Sequence, residues 1–445
     1  MKDRGESTRI LTVIGIVLGV VATVALGIYL VATANPRTEG KTVIRWVVDP
    51  NPIRKEQIKL FESRHDDIEV INDPGAESQR LLTQLAGGVP PDVMALYDPQ
   101  TIRLFAKNDV LLDLGPYVEE YDLPVDKLYG ALEPYIYYEG KIVGIPENCG
   151  PYVVFYNKKL FRDAGIPYPK QGWTWDECLA AAKKLTRFKE MSGRKVPEQF
   201  GIITNDWWFF IWMYNGHLFS EDGKTCTMDS EAVKKGIRFW ADLRLKYHVM
   251  PTTSEASSMA PTGSWGGDAL LFRESKIAMT ISGRWMCIQW REQKDLEWDV
   301  VSVPHGPNRV TLLASKAYAI PKSCKNKEAA LTFIKHLLDK ENQLLVSNYG
   351  DGIPSLNDEE IDRAFSYNPE YPDEKNNQVH LDEMQHARVQ EYSPYISTLD
   401  VNAILSTELD KMWLEEQIAD QACDAIAKRI NAIIRRNIAN PNFLN

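Results

Sequence analysis

Three short polar side chains follow apolar segments with the composition of strands, and they are placed to contact a polar ligand. Asp49 and Asn51 follow the segment Thr42–Val48, and Asp98 follows the segment Val93–Tyr97. In open α/β sheets a ligand binds at the carboxyl ends of the strands. Carboxylates and amides at this edge can form directional hydrogen bonds with a ligand. Because Asp and Asn are also common in turns, turn formation is the alternative role for Asp49 and Asn51.

A second group of candidates is mainly aromatic and lies further along the chain. Trp207, Trp208, Trp265 and Trp285 could present flat rings to a ligand, and burial in the core is the alternative for each of them. Because neighbouring side chains on a helix point in different directions, one of Trp207 and Trp208 can pack inward while the other faces a cleft. Arg284 could bind a carboxylate or a phosphate with two hydrogen bonds, or it could stack on Trp285.

A scaffold must hold these candidates together. We expect the stretch 139–161 to be a point where the chain bends and crosses from one lobe to another. A strand over residues 142–145 and a second strand over residues 152–156 flank a short loop that contains Gly150 and Pro151. Glycine adopts dihedral angles that other residues avoid, and proline fixes its own φ. This composition suits a segment that bends or rotates, although an ordinary strand–loop–strand connection has the same composition.

Polar residues at this bend and at a later loop complete the candidate site. Glu147 and Asn148 lie at the bend itself, and Asp351 lies in the glycine- and proline-containing loop 349–354. We interpret this later loop and the loop His305–Asn308 as two further crossings between the same two parts of the chain.

The elements around these residues predict an α/β fold. The strand 42–48, a helical pattern over Ile53–Arg64 and a strand over Ile68–Ile71 form a βαβ sequence. Such a sequence predicts a parallel sheet with helices on its faces. Further along the chain, Thr174 and Glu177 satisfy the S/T-x-x-E capping box at the start of another helix.

The composition fits a globular protein with two domains and argues against a nucleic-acid partner. The chain has 445 residues, of which 44% are hydrophobic and 25% charged. Its net charge of -10 opposes binding to phosphate backbones, which depends on clustered lysine and arginine. The six cysteines are scattered without a CxxC pair, so neither a disulfide framework nor a zinc site is indicated. One or two bridges would still be compatible with an oxidising compartment.

Signatures of common enzyme classes are absent from the sequence. It contains no HExxH motif, no GxSxG nucleophile elbow, no GxxxxGK loop and no dinucleotide-binding glycine signature. Its seven histidines have no spacing typical of metal ligands. We therefore expect no catalytic residue, no metal and no cofactor.

The N-terminus carries a long apolar run, Ile10–Ala32, after a short head with three basic residues. The run is long enough to cross a bilayer as a helix, which needs about 20 residues, and it exceeds the usual signal-peptide core of about 7 to 15. Residues 10–34 are therefore predicted to be a transmembrane signal anchor, with residues 1–9 as a cytoplasmic head. The alternative is a cleaved signal peptide, because residues 32–34 fit the small-x-small pattern of a cleavage site.

Taken in order, these elements resemble the extracellular solute-binding proteins of family 1, the maltose-binding-protein-like components of ABC sugar importers. The resemblance covers nearly the whole chain after residue 41. No single stretch is specific, and the specificity comes from their combination and order. The stretches that carry the resemblance are Leu85–Met94, Gly140–Pro146 with Tyr156–Phe161, Trp173–Glu177, Phe272–Trp285 and Ala317–Gln343.

The resemblance implies a periplasmic binding protein-like fold of type II, with two α/β lobes joined by a hinge. With the crossings placed as above, lobe 1 comprises residues 41–149 and 309–346, and lobe 2 comprises residues 150–308 and 347–445. The resemblance also implies a monomer whose soluble part lies at the periplasmic or extracellular face of the cytoplasmic membrane. Many such proteins carry a lipoprotein cysteine, which is absent after the apolar run here. An uncleaved helix would replace it as the anchor.

The function that the resemblance implies is capture of a sugar or oligosaccharide and its delivery to the permease subunits of an ABC importer. Sugars carry hydroxyl groups at their rims and C–H patches on their faces, so a sugar site needs carboxylates or amides beside exposed aromatic rings. The candidate residues are of both kinds. A ligand that touches both lobes would stabilise a closed arrangement of them.

The sequence is compatible with two other classes of function. A secreted glycosidase is one, because a chain with 61 acidic residues always offers some carboxylate pair suited to glycoside hydrolysis. A sensor that presents its ligand to a receptor or kinase is the other. A binding protein leaves its oligosaccharide intact, whereas a glycosidase cleaves it, and a pull-down of partners distinguishes a permease from a receptor.

Overall fold

The computed structural model describes residues 40–76, 78–259 and 267–440. The predicted transmembrane segment 10–34 and Trp265 lie outside these residues. Within the described ranges, no helix has both the length and the apolar composition needed to cross a membrane.

Helices and strands alternate along the chain in the manner of an α/β protein. The strands are β1 Thr42–Val47, β2 Ile68–Asp73, β3 Val93–Leu96, β4 Tyr137–Tyr138, β5 Lys141–Ile142, β6 Ile145–Pro151, β7 Val153–Asn157, β8 Arg187–Met191, β9 Arg194–Gln199, β10 Met279–Ser282, β11 Trp298–Val301, β12 Thr311–Ala319, β13 Ile353–Pro354 and β14 Ala387–Arg388. The helices are α1 Ile53–Glu62, α2 Ser78–Ala86, α3 Pro99–Lys107, α4 Glu133–Ile136, α5 Lys158–Asp163, α6 Trp175–Leu185, α7 Trp208–Trp212, α8 Glu231–Leu245, α9 Thr253–Met259, α10 Gly267–Arg273, α11 Cys287–Trp290, α12 Lys327–Leu337, α13 Lys340–Tyr349, α14 Glu359–Ser366, α15 Gln378–Glu383, α16 Thr398–Trp413 and α17 Ala419–Ile438.

The larger sheet has the strand order β13-β6-β12-β3-β1-β2. β1 pairs in parallel with β2 and with β3, in agreement with the βαβ prediction. β12 runs antiparallel to β3 and β6, and β13 runs antiparallel to β6. Because the parallel strands β1 and β3 are neighbours, their carboxyl ends lie side by side at one edge of the sheet.

A smaller sheet contains β10, β7 and β11, with β7 in the middle and antiparallel to both neighbours. Only Tyr152 separates β6 of the larger sheet from β7 of the smaller one. Consecutive strands of one segment therefore belong to two different sheets, and the bend between them lies in the stretch 139–161.

Two large hydrophobic cores correspond to the two sheets. The first core takes its residues from 44–149 and 313–365, and the second takes them from 154–312 and 396–434. A smaller cluster covers the opposite face of β7. All six cysteines are buried as free thiols.

The chain passes between the two cores at positions that differ in part from the sequence interpretation. The first crossing lies at Tyr152, inside the predicted bend. The second lies between Leu312 and Leu313, after the loop His305–Asn308 rather than within it. The loop 349–354 is not a crossing, because it contains β13, which pairs with β6 inside the larger sheet.

The return of this loop to the larger sheet has a local cause at Gly350. Gly350 ends α13 in the left-handed conformation, with a φ of 88°, which glycine adopts without steric cost. The turn directs the following residues back toward β6, so that Ile353, Leu356 and Ile361 pack in the first core. Residues 353–365 thus pack in the first core, whereas the sequence interpretation assigns all of residues 347–445 to lobe 2.

The crossings at Tyr152 and at Leu312–Leu313 run side by side, and a third passage between the cores lies within residues 366–395. The backbone N–H of Tyr152 donates a hydrogen bond to the carbonyl of Leu312 at 2.8 Å. The Thr311 hydroxyl donates to the carbonyl of Tyr152 at 2.7 Å. Few residues connect the two cores at this place, and a hinge needs only a few residues whose dihedral angles can change.

Candidate ligand-binding cleft

A cavity of about 390 Å³ lies beside the two crossing strands, at the carboxyl ends of β1 and β3. Its volume falls within the range of about 300–1,000 Å³ that is typical of small-molecule sites. Strands and loops from both sheets line it. The lining residues are Asp49, Asn51, Tyr97, Asp98, Pro99, Tyr135, Asn148, Cys149, Tyr152, Trp285, Leu312, Leu313, Ala314, Ser315, Lys316, Asp351 and Gln390.

Asp49 lies just after β1 and contributes a fixed carboxylate to the cavity wall. Its Oδ2 accepts a hydrogen bond from the Tyr97 hydroxyl at 2.8 Å and pairs with Arg54 Nη2 at 3.2 Å. Burial alone would raise the pKa of Asp49. The positive charges of Arg54 and Lys316 and the Tyr97 hydrogen bond outweigh burial, and they lower this pKa below its ordinary value. Asp49 is therefore ionised at neutral pH.

Asp98 lies just after β3 and keeps part of its hydrogen-bonding capacity. It caps α3, because its Oδ1 accepts from the Thr101 backbone N–H at 2.6 Å and its Oδ2 accepts from the Thr101 hydroxyl at 2.8 Å. A carboxylate oxygen can accept two hydrogen bonds, so each oxygen can also accept one from a ligand. Burial and the charge of Asp98 together raise the pKa of the Tyr135 phenol, which also lines the cavity.

A buried group of five charged residues, here called the Arg54 cluster, supports the polar wall. The fully buried guanidinium of Arg54 contacts Asp49, Glu147 at 3.3 Å and Asp351 at 2.7 Å. Lys316 Nζ completes the cluster at 3.3 Å from Asp351. Burial would lower the pKa of Arg54, but its carboxylate partners raise this pKa well above the ordinary value. The cluster holds three carboxylates and two cations, so one negative charge is not balanced within it.

The position of Arg54 follows from the pattern of α1. Arg54, Gln57 and Phe61 recur at spacings of three and four residues and form the buried face of this helix. Arg54 Nη1 donates to Gln57 Oε1 at 2.8 Å, which fixes the guanidinium along this face. Because α1 begins directly after the loop that ends β1, its first turn places Arg54 behind the strand ends.

The polar residues of the wall hold one another in place. Asn51 Nδ2 donates to Asp351 Oδ1 at 2.7 Å, and Asn148 Nδ2 donates to Asp351 Oδ2 at 3.0 Å and to the Asp351 carbonyl. Lys316 Nζ donates to Asn148 Oδ1 at 3.1 Å. Such a network is preorganised, so a ligand does not have to order these side chains when it binds.

Another part of the wall is aromatic. The half-buried ring of Trp285 meets the ring of Tyr152 edge-on, with centroids 5.7 Å apart and an interplanar angle of 66°. The Tyr152 phenol is hydrogen-bonded to Asp206, and burial together with the Asp206 charge raises its pKa well above the ordinary value. Gly150 allows the close approach of the indole, since a Cβ at this position would lie 3.1 Å from the Trp285 ring.

The segment 390–392, here called the strap, connects the two sides of the cavity. On the first side, Gln100 Nε2 donates to the carbonyls of Gln390 and Glu391 at 3.3 and 3.1 Å. On the second side, the Glu391 carboxylate accepts from Trp212 Nε1 at 2.8 Å and from the Leu218 N–H at 2.6 Å. Gln390 thus reaches the cavity from a segment that is bonded to both cores.

The structure brings six of the predicted site residues together around the cavity, namely Asp49, Asn51, Asp98, Asn148, Trp285 and Asp351. Glu147 lies behind the wall, fully buried in the Arg54 cluster, where it also accepts a hydrogen bond from the Tyr318 hydroxyl at 2.9 Å. Trp265 lies outside the described residues.

Arg284 does not line the cavity. Its side chain is 1% exposed, and its Nη2 pairs with Glu374 Oε2 at 2.6 Å. Arg291 Nε binds the other oxygen of the same carboxylate at 2.7 Å. Burial would raise the pKa of Glu374, but the two guanidinium groups lower it to about 2. Arg284, Arg291 and Glu374 are here called the Glu374 cluster. The anion that pairs with Arg284 is therefore Glu374 of the protein itself, and not a carboxylate or phosphate of a ligand.

Trp207 and Trp208 also lie away from the cavity. Their rings stack at 4.3 Å, and the two residues are 8% and 7% exposed in the second core. Trp208 reaches a separate cavity of about 130 Å³, which shares Asp98 and Gln390 with the larger one. Both rings are therefore buried in the core, which is the alternative to a position at the cleft.

Several cavity residues were not among the sequence candidates. Tyr97 precedes Asp98 at the same strand end, and Lys316 is a single cation within the apolar strand β12, so both had a visible signal. Tyr152 begins the predicted strand 152–156 and also ends the predicted pivot 148–152, and the structure places it between β6 and β7. Gln390 belongs to a polar segment without a recognisable pattern, and no sequence signal placed it at the site.

Two sheets with separate cores, side-by-side crossing strands and a cavity at their junction define a ligand-binding protein with a periplasmic-binding-protein-like α/β fold. The family model described as bacterial extracellular solute-binding protein matches residues 48–344, and this chain belongs to that family.

Comparison with individual proteins agrees with this assignment. A Brucella abortus protein provisionally named as a binding protein is 23% identical over 358 residues, which cover 77% of this chain and 82% of the relative. A maltooligosaccharide ABC transporter solute-binding lipoprotein of Streptococcus pneumoniae is 26% identical over 229 residues, 48% of this chain and 49% of the relative. An ABC substrate-binding protein of Listeria monocytogenes, solved with cycloalternan, has a TM-score of 0.77 at 24% identity over 88% of this chain and 98% of its own. This last likeness shows the fold.

Proposed function

We propose that this protein binds a sugar or an oligosaccharide in the cavity and delivers it to the permease of an ABC importer. The observation that carries the proposal is the composition of the cavity wall. At the strand ends, Asp98 offers a carboxylate with open acceptor capacity and Asp49 adds a fixed negative charge. Tyr152 and Trp285 offer partly exposed rings nearby. Carboxylates accept hydrogen bonds from hydroxyl groups, while aromatic rings pack against the C–H faces of a sugar.

The names of relatives support this ligand class. A similar protein of Streptococcus pneumoniae is a maltooligosaccharide-binding lipoprotein, and structures with the same fold were solved with cycloalternan, maltose and mannobiose. One neighbour of the same fold was solved with glycerophosphocholine, so the fold also serves ligands that are not sugars. The carboxylates and rings of the wall favour the sugar.

The proposed mechanism is closure of two lobes around the ligand. As lobes we take the residues that share a core, 41–149 with 313–366 and 153–312 with 396–438. This division departs from the sequence interpretation at residues 309–312 and 347–366. A ligand that contacts Asp49 on one lobe and Trp285 on the other stabilises the closed form by its higher affinity for that form.

The proposed location is the outer face of the cytoplasmic membrane, with residues 10–34 as a transmembrane anchor and residues 1–9 in the cytoplasm. The length of the apolar run supports an uncleaved anchor. Mass spectrometry of the membrane-associated protein tests this proposal. An intact N-terminus agrees with it, and a chain that begins after Ala34 contradicts it.

We propose binding without catalysis. Glycoside hydrolysis needs a carboxylic acid that donates a proton beside a second carboxylate. Asp49 is held ionised by Arg54, and Asp351 is engaged by Arg54 and Asn51. Incubation with oligosaccharides followed by chromatography tests this point: intact oligosaccharides agree with binding alone, and shortened ones contradict it.

A thermal-shift screen tests the proposed function. A ligand that binds only the native state stabilises it by about 2.7 kcal/mol at a concentration 100 times its Kd. The panel comprises maltose, maltotriose, mannobiose, tagatose and cycloalternan, with glycerophosphocholine as the ligand that is not a sugar. We expect at least one sugar to raise the melting temperature. Stabilisation by glycerophosphocholine alone, or by no member of the panel, would contradict a sugar-binding function.

A further inference from the structure

We propose that the cleft selects neutral sugars and rejects their anionic counterparts, such as uronic acids and sugar phosphates. This inference rests on the proposed function and narrows its ligand class. It is the opposite of one of the two roles that the sequence allows for Arg284, namely binding a carboxylate or phosphate of the ligand, the other being stacking on Trp285.

The charges that line the cavity have a negative excess. Asp49, Asp98 and Asp351 are carboxylates, and Lys316 is the cation among the lining residues. Behind the wall, Arg54 and Glu147 add one charge of each sign. The cavity therefore presents a negative potential to a ligand at neutral pH, and this potential opposes a further negative charge.

Lys316 is not free to bind a ligand anion. Its side chain is 6% exposed, and its ammonium lies 3.1 Å from Asn148 Oδ1, 3.3 Å from Asp351 Oδ2 and 3.8 Å from Glu147 Oε2. An ammonium has three N–H donors, and three protein acceptors surround this one. A ligand carboxylate would have to compete with these acceptors for the ammonium, and it would lie beside the carboxylates of Asp351 and Glu147.

Other cations near the cavity are also bonded to groups of the protein. Arg54 is fully buried among carboxylates, and Arg284 shares Glu374 with Arg291. Arg103 on α3 donates to the carbonyls of Pro99 and Pro134 and lies over a tyrosine ring of the strap. The segment 260–266, which is outside the described residues, contains no lysine or arginine that could supply a further cation.

Asp98 provides open acceptors in the wall. Asp98 has one hydrogen bond on each carboxylate oxygen and capacity for another on each. A hydroxyl can donate to these oxygens, whereas a ligand carboxylate placed there would meet a like charge in a partly desolvated site. Like charges brought together in a binding interface weaken binding, and we expect a loss of affinity of at least about tenfold.

Matched sugars separate the charge of the ligand from its shape. Isothermal titration calorimetry at pH 7 compares maltose and mannobiose with the disaccharides in which one C6 hydroxymethyl group is oxidised to a carboxylate. We expect the acid to bind at least about tenfold more weakly than its neutral parent. An acid that binds as tightly as its parent, or more tightly, overturns the inference. Failure of the proposed function has a different signature, in which neither parent nor acid binds.

Two variants test the electrostatic cause. Asp98→Asn removes one charge from the wall, and asparagine is as good an N-cap as aspartate, so α3 keeps its cap. We expect this variant to reduce the ratio of neutral to acid affinity by about threefold or more. Asp163→Asn makes the same charge change at an exposed residue that pairs with Lys159, and we expect it to leave the ratio unchanged. Equal ratios in the wild type and both variants would overturn the inference.

Discussion

The protein contains two buried arginine clusters that resemble each other in chemistry and differ in role. In the Arg54 cluster, three carboxylates surround two cations, and the cluster borders the cavity. In the Glu374 cluster, two arginines share one carboxylate, and none of the three residues lines the cavity. The first carries one unbalanced negative charge beside a ligand site, whereas the second carries one unbalanced positive charge among residues that do not line it.

The difference shows that the role of a buried arginine depends on the counter-ions that the fold brings to it. Arg284 lies in a stretch that carries the family resemblance, yet it pairs with Glu374, 90 residues later in the chain, and not with a ligand. Arg54 sits in an ordinary helical pattern, yet it organises the carboxylates of the cleft. Four predictions test this contrast, in order of decreasing effect.

The largest effect is expected for Arg54→Met. The substitution leaves Asp49, Glu147 and Asp351 without their shared cation in a buried site, and breaking a buried ion pair costs about 3–5 kcal/mol. Urea denaturation measures this loss in the free energy of unfolding. Arg64→Met is the control, because Arg64 is 39% exposed and pairs with the exposed Glu341. We expect the control to lose less than about 1 kcal/mol. Equal losses in both variants would contradict the supporting role of the cluster.

The second prediction concerns the pH dependence of the Glu374 cluster. The pKa of Glu374 is lowered to about 2 in the folded protein from an ordinary value of 4.5. The carboxylate therefore contributes stability that is fully present above pH 4.5 and is lost as the pH falls toward about 2. We expect the stability advantage of the wild type over Glu374→Gln to shrink by about 2 kcal/mol between pH 6 and pH 3.

Urea denaturation at the two pH values measures this change. Glu297→Gln serves as the control, because Glu297 pairs with Arg162 at the surface and is 49% exposed. Its pH-dependent advantage should be much smaller, since solvent screens an exposed pair. A Glu374 advantage that stays constant with pH would show that the two arginines do not hold this carboxylate ionised.

The third prediction uses two neighbouring residues that belong to different regions. Trp285 faces the cavity, while Arg284 is buried with Glu374. Trp285→Ala removes a partly exposed ring from the wall, and we expect sugar affinity to fall by about 2 kcal/mol, roughly 30-fold. Arg284→Met should instead lower stability and leave affinity within about twofold of the wild type. Calorimetric titration measures the affinity of both variants, and urea denaturation measures their stability. An equal loss of affinity in the two variants would contradict the contrast.

The smallest effect is expected for Gly150→Ala. The new Cβ would lie 3.1 Å from the Trp285 ring, so the ring must shift by a few tenths of an ångström. We expect sugar affinity to fall by about two- to fivefold, less than about 1 kcal/mol. Gly130→Ala is the control, because no atom lies within 4 Å of a Cβ built there. An unchanged affinity in Gly150→Ala would show that the position of the Trp285 ring is not set by this contact.

Much of the fold could be predicted from local patterns. The βαβ sequence predicted the parallel pairing of β1 and β2, and the capping box at Thr174 predicted the start of α6, where both reciprocal hydrogen bonds are present. Strand ends also predicted Asp49 and Asp98 at the cavity edge. These features depend on residues close together in the sequence, where spacing alone decides the geometry.

The remaining features depend on contacts between distant residues. The burial of Arg284 depends on Glu374, and the return of residues 353–365 to the first core depends on pairing of β13 with β6. The stacking of Trp207 on Trp208 depends on the packing of the second core. No spacing in a single sequence distinguishes a tryptophan at a cleft from one in a core, because both environments favour the same side chain.

The central claim is that a sugar held between Asp49 and Trp285 closes the two lobes. Small-angle X-ray scattering with and without a saturating sugar, chosen by the thermal-shift screen, measures it most directly. We predict that the sugar reduces the radius of gyration of the wild type, and that Trp285→Ala needs roughly 30-fold more sugar for the same reduction. An unchanged wild-type radius, at a concentration where calorimetry shows the site to be full, would contradict closure.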